Sequence, residues 1–447
     1  MLISKSNFLI VGIAKSGLSA TKQLLLRGGK CMVYDDSNSD FISKSIQELL
    51  MLGAVDARTD IDSAINWCDI VVISPGVPID HKIPLTAKRL RKRVIGELEL
   101  GSLLIKSPII AVTGTNGKTT TCSMLTEILN KAGEKALSVG NIGSPICENV
   151  DNLTENTYAV TEVSSFQLES VHSFCPHIAV VLNITPDHLS RHYNMDNYVY
   201  LKKRILTNMR ESEFCVLNYD DEKVREFSKT ARCKVVFFSL KEKISGCYVV
   251  DGNIYYMGEF IMPTSEIALS GAHNLENVLA SICVSKILDI DTSAICDAVE
   301  NFNGVKHRIE LVKEIDGIKF YNDSKATNPD ATIKAVNSMT VPTVVILGGK
   351  DKGLSFDELF NKISSSCITH AVLTGENRYS LLDSSKRSGF DSVTVTGDFE
   401  SAVKIAEMEC EKGGAVLLSP ASSSFDMFSG FEARGEAFIK IVLSLDE

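Results

Sequence analysis

Short apolar runs alternate with longer amphipathic segments along most of the chain. The first three runs lie at 8–11, 31–34 and 69–74, and each has the length of one β-strand. Between them, apolar residues recur at helical spacing. Later runs lie at 109–112, 158–163, 178–184, 215–218, 319–322, 343–347, 371–374, 393–395 and 416–418. Strands that alternate with helices predict an α/β fold with parallel sheets covered by helices.

The 447 residues should form about three domains, because one domain usually takes about 100–200 residues. We place these domains at 1–97, 98–304 and 305–447. The first and third consist of strand–loop–helix repeats, which predict Rossmann-like N-terminal and C-terminal domains. The central domain contains the most informative loop of the chain.

That loop follows the apolar run at 109–112 and precedes a helical pattern. It consists of Gly114, Thr115, Asn116, Gly117, Lys118, Thr119 and Thr120. Glycines let backbone N–H groups turn onto phosphate oxygens, and the helix N-terminus adds partial positive charge. Lys118 suits the terminal phosphates and the Thr119 hydroxyl suits Mg²⁺. Only two residues separate the glycines, so the loop departs from the general pattern, but it predicts a P-loop-type ATPase domain.

Acidic and imidazole side chains follow two later strands of this domain. Glu162 ends the run at 158–163, where a carboxylate can bind Mg²⁺. Asp187 and His188 follow the run at 178–184, and His188 suits a metal or a substrate contact. A helix cap for Glu162 and a structural role for His188 are the alternatives.

A glycine loop at 12–17 follows the first strand, and Asp35 and Asp36 end the second. This arrangement resembles a dinucleotide-binding fingerprint, with Ala14 at the second glycine position. It indicates NAD, another diphosphate on a helix N-terminus, or packing alone. The third strand ends in a Pro/Gly loop at 74–78, at the strand end where open α/β sheets bind ligands.

Five further polar residues are ambiguous from sequence alone. Tyr198 and Lys202 share one helix face, and a solvated lysine is the plain interpretation. Asn274 and Asn277 open a helix, where amides contact a base edge or, more commonly, cap the helix. Arg308 suits a phosphoryl group in the manner of an arginine finger, with a surface salt bridge as the alternative.

Three polar loops follow strands in the third domain. Asp323 suits a ribose hydroxyl, and Lys325 suits a carboxylate or phosphate. A cationic glycine loop at 347–353 contains Lys352. A serine-rich loop at 418–428 offers N–H and hydroxyl donors to a small carboxylate, although such loops are usually turns.

Composition narrows the function classes. A hydrophobic fraction of 44% with 23% charged residues is typical of globular proteins. The net charge of −10 argues against nucleic acid, and the basic cluster at 88–93 is interpreted as a solvated helix end. The twelve cysteines form no C-x-x-C pair, which favours free thiols in a cytoplasmic protein. No apolar segment reaches the length of a membrane helix, and we expect a monomer.

The order of these features along the chain resembles that of the Mur ligases. The features are the phosphate loop, Glu162, the Asp187–His188 pair, the amides at 274 and 277, Arg308 and the loop at 322–325. The stretches at 140–143, 164–169 and 418–428 narrow the resemblance to members that add D-glutamate. The resemblance covers essentially the whole chain. It implies ATP-driven amide formation in peptidoglycan precursor synthesis. The L-alanine carboxylate of UDP-N-acetylmuramoyl-L-alanine would form an acyl phosphate, which the D-glutamate amine then attacks.

The resemblance also implies residue roles. Lys118, His188, Lys202, Arg308 and Lys352 would be catalytic. The glycine loop at 114–120 would bind ATP together with Asn274, Asn277, Arg308 and Asp323. Mg²⁺ would bind Thr119, Glu162, His188 and Lys202, with Lys202 carrying a carbamate. The UDP-sugar-alanine would contact Lys15, Ser16, Asp36, Ser74, Pro75, Gly76, Asn141 and Ser164. D-glutamate would contact Lys325, Thr327, Lys352, Ser424, Phe425 and Phe431.

Other functions are compatible with parts of the pattern. Another amide ligase of the same superfamily, such as folylpolyglutamate synthase or the UDP-sugar-tripeptide synthetase, is the main alternative. A first domain of nearly 100 residues before the phosphate loop disfavours the folate enzyme. A dinucleotide-dependent oxidoreductase would use the loop at 12–17 and leave the phosphate loop without a role. A non-catalytic nucleotide-binding protein would not need Lys118, Glu162, His188 and Arg308 together.

Overall fold

A computed structural model describes residues 2–37, 39–141, 143–269, 271–351 and 353–445. Within them the chain forms two compact units, of which the first ends at Phe302 and the second begins at Asn303. The first unit contains two sheets and the second contains one. None of the described helices is long and apolar enough to cross a membrane.

The N-terminal sheet is parallel and has the order β3-β2-β1-β4-β5. Its strands are β1 Asn7–Val11, β2 Lys30–Tyr34, β3 Val55–Asp56, β4 Ile70–Ile73 and β5 Arg93–Gly96. The accompanying helices are α1 Lys15–Leu26, α2 Asp40–Met51, α3 Ile61–Trp67, α4 Lys82–Arg89 and α5 Glu97–Leu104. The chain leaves β1 for β2 on one side and later returns to β4 on the other. The crevice between the loops after β1 and β4 is therefore the expected ligand site of this sheet.

The central sheet has the order β14-β13-β12-β11-β10-β9-β6-β8-β7. Its strands are β6 Ile109–Thr113, β7 Lys135–Gly140, β8 Thr157–Glu162, β9 Ile178–Val181, β10 Phe214–Asn218, β11 Lys234–Ser239, β12 Gly246–Val250, β13 Asn253–Tyr256 and β14 Glu259–Pro263. The helices are α6 Lys118–Lys131, α7 Ser165–Leu168, α8 Leu189–His192, α9 Met195–Lys203, α10 Glu222–Arg225, α11 Ala272–Ile287 and α12 Thr292–Asn301. Every residue of β6 is buried, because α6 and α11 contribute to the apolar core on one face and α7 and α9 to that on the other.

The second unit has the sheet order β15-β16-β20-β17-β18-β19. Its strands are β15 Glu310–Ile315, β16 Ile318–Asn322, β17 Thr343–Gly348, β18 Ile368–Thr374, β19 Val393–Val395 and β20 Ala415–Leu418. The helices are α13 Pro329–Ser338, α14 Asp357–Ile363, α15 Arg378–Ser388, α16 Phe399–Met408 and α17 Phe431–Ser444. Asn322 and Leu418 are register partners, so the loops after β16 and β20 begin side by side.

The predicted α/β class is confirmed, but the expectation of wholly parallel sheets is wrong in two places. Strands β12, β13 and β14 form an antiparallel meander at one edge of the central sheet. Strand β15 pairs antiparallel with β16 through a tight turn that contains Gly317. The apolar stretches in these hairpin strands are short and are interrupted by turns at Gly252, Gly258 and Gly317, so the pattern of apolar runs did not reveal them.

A buried carboxylate joins helix α5, which follows the N-terminal sheet, to the segment between α7 and β9. Glu99, on α5, accepts hydrogen bonds from the backbone N–H groups of His172, Ser173 and Phe174 at 2.9–3.0 Å. The Ser173 hydroxyl also donates to it, at 2.5 Å. Burial alone would raise the pKa of Glu99, but these hydrogen bonds outweigh burial and lower its pKa below the ordinary value. The carboxylate is therefore stable in its charged form.

We expect Glu99→Gln to lower the free energy of unfolding of the first unit by about 2–4 kcal/mol at neutral pH. Because the pKa is lowered in the folded state, this stabilisation exists above the unfolded-state pKa and is lost as pH falls through the folded-state pKa. Urea unfolding followed by the fluorescence of Trp67, the single tryptophan, measures it. Glu155→Gln, at an exposed ion pair with Lys106, is the control and should remain close to wild type. Equal effects of the two substitutions would contradict the proposed role of Glu99.

Candidate active site

A cleft of about 510 Å³ lies at the ends of β1 and β4, and it extends to the loop after β7. Its lining includes Lys15, Ser16, Asp36, Ser74, Pro75, Gly76 and Asn141. These are seven of the eight residues assigned from the sequence to the UDP-sugar-alanine. The cleft therefore joins the crevice of the N-terminal sheet to the end of the central sheet.

Close backbone contacts shape the floor of this cleft. The Ser74 hydroxyl donates to the Gly12 carbonyl at 2.7 Å. A Cβ on Gly17 would lie 1.8 Å from the same carbonyl oxygen, so α1 can approach the loop only with glycine at this position. Asp35 accepts from the Ile13 N–H at 2.6 Å and fixes the loop, whereas Asp36 accepts from Tyr34 Oη at 2.5 Å beside the cleft.

The phosphate loop is folded as a cradle between β6 and α6. Gly117 has φ of 82°, a left-handed conformation that favours glycine. The N–H groups of Thr115 and Asn116 donate to the Asn183 carbonyl and side chain at 2.9 and 2.8 Å. The Lys118 ammonium reaches back over the loop and donates to the carbonyls of Gly114 and Thr115 at 2.9 and 2.8 Å. The lysine is thereby held at the mouth of the loop.

Thr119 and Glu162 supply two oxygen atoms beside this loop. Val112 of β6 is the register partner of Glu162, and the Thr119 hydroxyl donates to Glu162 Oε2 at 2.7 Å. Asn141 Nδ2 donates to the other carboxylate oxygen at 2.9 Å. A hydroxyl and a carboxylate at this spacing fit Mg²⁺, which takes few protein ligands and completes its shell with phosphates and water. No group of three or more His, Cys, Asp or Glu residues capable of holding a metal occurs among the described residues.

Lys202 is buried, with 1% of its surface exposed. Its ammonium donates to the Gly114 carbonyl at 2.7 Å and lies 4.7 Å from the ring centroid of Tyr198. Burial, and next the charge of Lys118, hold the pKa of Lys202 well below its ordinary value. The interpretation of Lys202 as a solvated lysine is therefore wrong. The residue lies buried at the phosphate loop, where its Nζ contacts the Gly114 carbonyl.

His188 begins the short helix α8, in a left-handed conformation with φ of 53°. Its ring lies 4.9 Å from that of Phe166, and its side chain remains about half exposed. His192 was not predicted. It is buried, its Nε2 lies 2.9 Å from the Ser165 hydroxyl, and burial lowers its pKa to about 4. Its position within a polar turn gave no sequence signal of burial.

Two residues selected from the sequence make structural contacts. Ser164 caps α7 and forms a capping box with Gln167. Asn277 is buried behind the phosphate loop, where its Oδ1 accepts from the Thr121 hydroxyl at 3.3 Å. A Cβ on Gly117 would lie 2.2 Å from the same Oδ1, so Asn277 packs directly against the loop. Asn274 lies one turn earlier, with its Oδ1 3.4 Å from Asn277 Nδ2.

In the second unit, Asp323 follows β16 and is buried. Its carboxylate accepts from the Ser419 hydroxyl at 2.7 Å and from the Ile309 N–H at 3.3 Å. Burial raises the pKa of Asp323 to about 7, although the Ser419 hydrogen bond and the charge of Arg308 act in the opposite direction. Arg308 and Asp323, both assigned to ATP from the sequence, are therefore electrostatic neighbours.

The loops assigned to the amino acid surround a buried arginine. Arg434, on α17, donates to the Ser324 hydroxyl and carbonyl at 3.0 and 2.9 Å. Lys325 Nζ lies 5.8 Å from the ring centroid of Phe431, and the Thr327 N–H donates to the Lys325 carbonyl. Ser424 is buried, whereas Phe425 is exposed. Lys352 lies outside the described residues. Arg434 was not selected from the sequence, because its helix has an ordinary amphipathic pattern.

Two family models match the chain. The model described as the Mur ligase middle domain matches residues 112–285, and the Mur ligase glutamate ligase domain matches residues 307–422. These matches, together with full-length relatives at about 40% identity, show that the chain belongs to the Mur ligase family.

Within this family, the full-length similarity is to UDP-N-acetylmuramoylalanine--D-glutamate ligases. The protein of that name from Thermoanaerobacter sp. (strain X514) is 41% identical over 454 residues, which cover 100% of both chains. Its counterpart from Clostridioides difficile (strain 630) is 40% identical, and 96% of each chain is covered.

Solved structures share the fold at low sequence identity. UDP-N-acetylmuramate-alanine ligase MurC from Thermotoga maritima has a TM-score of 0.57 at 18% identity, over 98% of this chain and 100% of that one. MurF from Acinetobacter baumannii has a TM-score of 0.56 at 14% identity, over 97% and 93%.

The raised pKa of Asp323 predicts an unusual pH dependence of stability. A carboxyl group whose pKa is higher in the folded state does not lower the free energy of unfolding at pH values below its unfolded-state pKa of 3.8. As pH rises from there towards 7, the group lowers the free energy of unfolding by an increasing amount. Asp323→Asn should therefore stabilise the second unit by about 4 kcal/mol above pH 7 and by little near pH 4. Calorimetric unfolding from pH 4 to 8 measures this difference. Asp383→Asn, at an exposed position of α15, should not change the pH profile, and a constant effect of Asp323→Asn would contradict the prediction.

Proposed function

We propose that this protein is an ATP-dependent, ADP-forming ligase that joins D-glutamate to UDP-N-acetylmuramoyl-L-alanine in peptidoglycan precursor synthesis. The observation that carries the proposal is the full-length identity of 41% to a relative of that name. The cleft supports it, because its lining residue Asn141 donates to Glu162, which also accepts from Thr119 after the phosphate loop, and a UDP-sugar and a nucleoside triphosphate need adjoining sites. We also propose that it acts in the cytoplasm, because twelve free cysteines suit a reducing compartment.

The acceptor would lie in the cleft with its diphosphate at the N-terminus of α1, where Lys15 and Ser16 line the wall. Asn141 lines the same cleft and donates to Glu162. It therefore connects the acceptor site with the phosphate site. The L-alanine carboxylate would attack the γ-phosphorus of ATP, ADP would leave, and an acyl phosphate would form. Lys118 would stabilise the negative charge that grows on the transferring phosphoryl group.

Mg²⁺ bound by Thr119 and Glu162 would neutralise phosphate charge. Lys202 and His188 are further proposed ligands. A protonated ammonium cannot ligate a cation, and Mg²⁺ prefers oxygen ligands to an amine nitrogen, so Lys202 would become a ligand after conversion to a carbamate by CO₂. Its burial and the neighbouring Lys118 favour the neutral amine that this reaction needs. The ring of Tyr198 and the Gly114 carbonyl hold the amine in place.

The second unit would supply the incoming amino acid and part of the ATP site. Arg308, Asp323, Asn274 and Asn277 are proposed to contact ATP. Lys325, Thr327, Lys352, Ser424, Phe425 and Phe431 are proposed to contact D-glutamate, whose amine would displace phosphate from the acyl carbon. Selection of a small dicarboxylate is consistent with the buried serine loop after β20, which contributes hydroxyl donors.

ADP release and product formation with UDP-N-acetylmuramoyl-L-alanine test the function against a panel of amino acids. We expect turnover with D-glutamate and rejection of L-glutamate and meso-diaminopimelate. Equal turnover with diaminopimelate would overturn the proposed substrate.

Lys118→Ala should lower kcat by several orders of magnitude while the circular dichroism spectrum stays unchanged. Lys131→Ala, at the other end of α6, should retain turnover.

Three variants test the carbamate. Lys202→Ala should be nearly inactive, because it removes a metal-binding group. Lys202→Arg should be no better, since a guanidinium cannot form this carbamate. Short carboxylic acids should partly restore the alanine variant, because they supply the missing oxygen atoms. Full activity of Lys202→Arg would show instead that Lys202 acts only as a positive charge.

A further inference from the structure

The turn that carries His188 is attached directly to the N-terminal domain. Arg191, on α8, donates from its guanidinium to the carbonyls of Gly76 and Val77 at 3.5 and 3.2 Å. Tyr193 donates to Asp80 in the same loop region. Gly76 and Val77 line the nucleotide-sugar cleft, and Asp80 follows them in the chain. One short turn of the central domain therefore holds one wall of that cleft.

Arg191 is itself fixed from the other side by α7 and the residue after it. Glu169 accepts two hydrogen bonds from the Arg191 guanidinium, at 3.1 and 2.7 Å. The ring of Phe166 lies 4.9 Å below the guanidinium carbon. The guanidinium is 18% exposed and the carboxylate 6% exposed, so this pair is weakly screened by solvent. A bidentate pair of this kind fixes direction as well as distance.

The same elements also hold His188. The centroid of the Phe166 ring lies 4.9 Å from the centroid of the His188 ring and 4.9 Å from the guanidinium carbon of Arg191. His188 and Tyr193 flank α8 in left-handed conformations, with φ of 53° and 68°. Residues other than glycine keep such conformations only where their surroundings enforce them. The contacts of Phe166, Glu169 and Arg191 provide that enforcement.

We propose that Arg191 is a positioning residue that sets the nucleotide-sugar wall at 74–77 relative to His188. This inference rests on the proposed function. Arg191 touches neither substrate nor reacting atoms in this assignment. It acts by holding the Gly76 and Val77 carbonyls, so that Ser74, Pro75 and Gly76 keep the shape that receives the UDP moiety. Its loss should weaken acceptor binding without weakening ATP binding.

The experiment compares Arg191→Met and Arg191→Lys with the wild type. Binding of UDP alone is measured by calorimetry, and KM is measured separately for the UDP-sugar-alanine and for ATP. Arg191→Met should raise the UDP Kd and the acceptor KM about tenfold, which is the change expected when a hydrogen bond from a charged group is lost. The KM for ATP should change by less than about twofold. Lysine keeps the charge but not the bidentate geometry, so the UDP Kd and the acceptor KM of Arg191→Lys should lie between those of the wild type and of Arg191→Met.

Arg225→Met is the matched control. Arg225 also lies over an aromatic ring, that of Tyr219 at 4.9 Å, and donates to a backbone carbonyl, but it makes these contacts within the central domain. It should leave both KM values unchanged. Glu169→Gln combined with Arg191→Met should be non-additive, since both substitutions break one contact.

The results of these measurements distinguish the positioning role of Arg191 from the proposed function of the protein. Wild-type UDP affinity in both Arg191 variants would overturn the positioning role alone. A parallel rise in the KM for ATP, or an equal effect of Arg225→Met, would also overturn it, because general destabilisation would then explain the loss. Absence of UDP binding by the wild-type protein would overturn the proposed function, and the positioning role with it.

Discussion

Two lysine ammonium groups converge on one backbone carbonyl oxygen, that of Gly114. Lys118 donates to it at 2.9 Å and Lys202 at 2.7 Å. Two cations at one partly buried acceptor repel each other, and this repulsion contributes to the lowered pKa of Lys202. The arrangement is stable only if one amine is neutral or if anions lie close by. A site of this kind favours phosphate groups, and it favours any reaction that converts the buried amine to an anion.

A carboxylate on the neighbouring strand β8 supplies negative charge close to the two lysines. Glu162 lies at the end of β8, in register with Val112 of β6, so that the parallel sheet places its carboxylate beside the phosphate loop. Thr119 and Asn141 occupy its two oxygen atoms. Thr119 belongs to the helix after the loop and Asn141 to the loop that lines the nucleotide-sugar cleft. One carboxylate therefore connects the phosphate site, the proposed metal position and the acceptor cleft.

The sequence predicted the elements of this site well, because the information is local. Gly114 to Thr120 form a contiguous loop between a strand and a helix, and the apolar strand pattern placed Glu162 and Asp187 at strand ends. Contacts between distant segments were not predictable in the same way. Nothing in the sequence around Lys202 distinguishes it from a surface lysine, and its burial depends on Tyr198 and on a carbonyl 88 residues away. Arg434 was overlooked for the same reason, since its partner Ser324 is 110 residues away.

The edge strands of the central sheet were not predicted from the sequence, for a different reason. The meander of β12, β13 and β14 contains short apolar stretches, but turn residues separate them after only a few positions, so the sequence analysis assigned no strand there. Its pairing depends on tight turns at Gly252 and Gly258, both in left-handed conformations. These strands extend the sheet on the side away from the phosphate loop, as the order β14 to β7 requires. The parallel strands β9, β6 and β8 end together beside the phosphate loop, so the missed meander lies away from this part of the proposed site, whereas the missed strand β7 leads directly to Asn141.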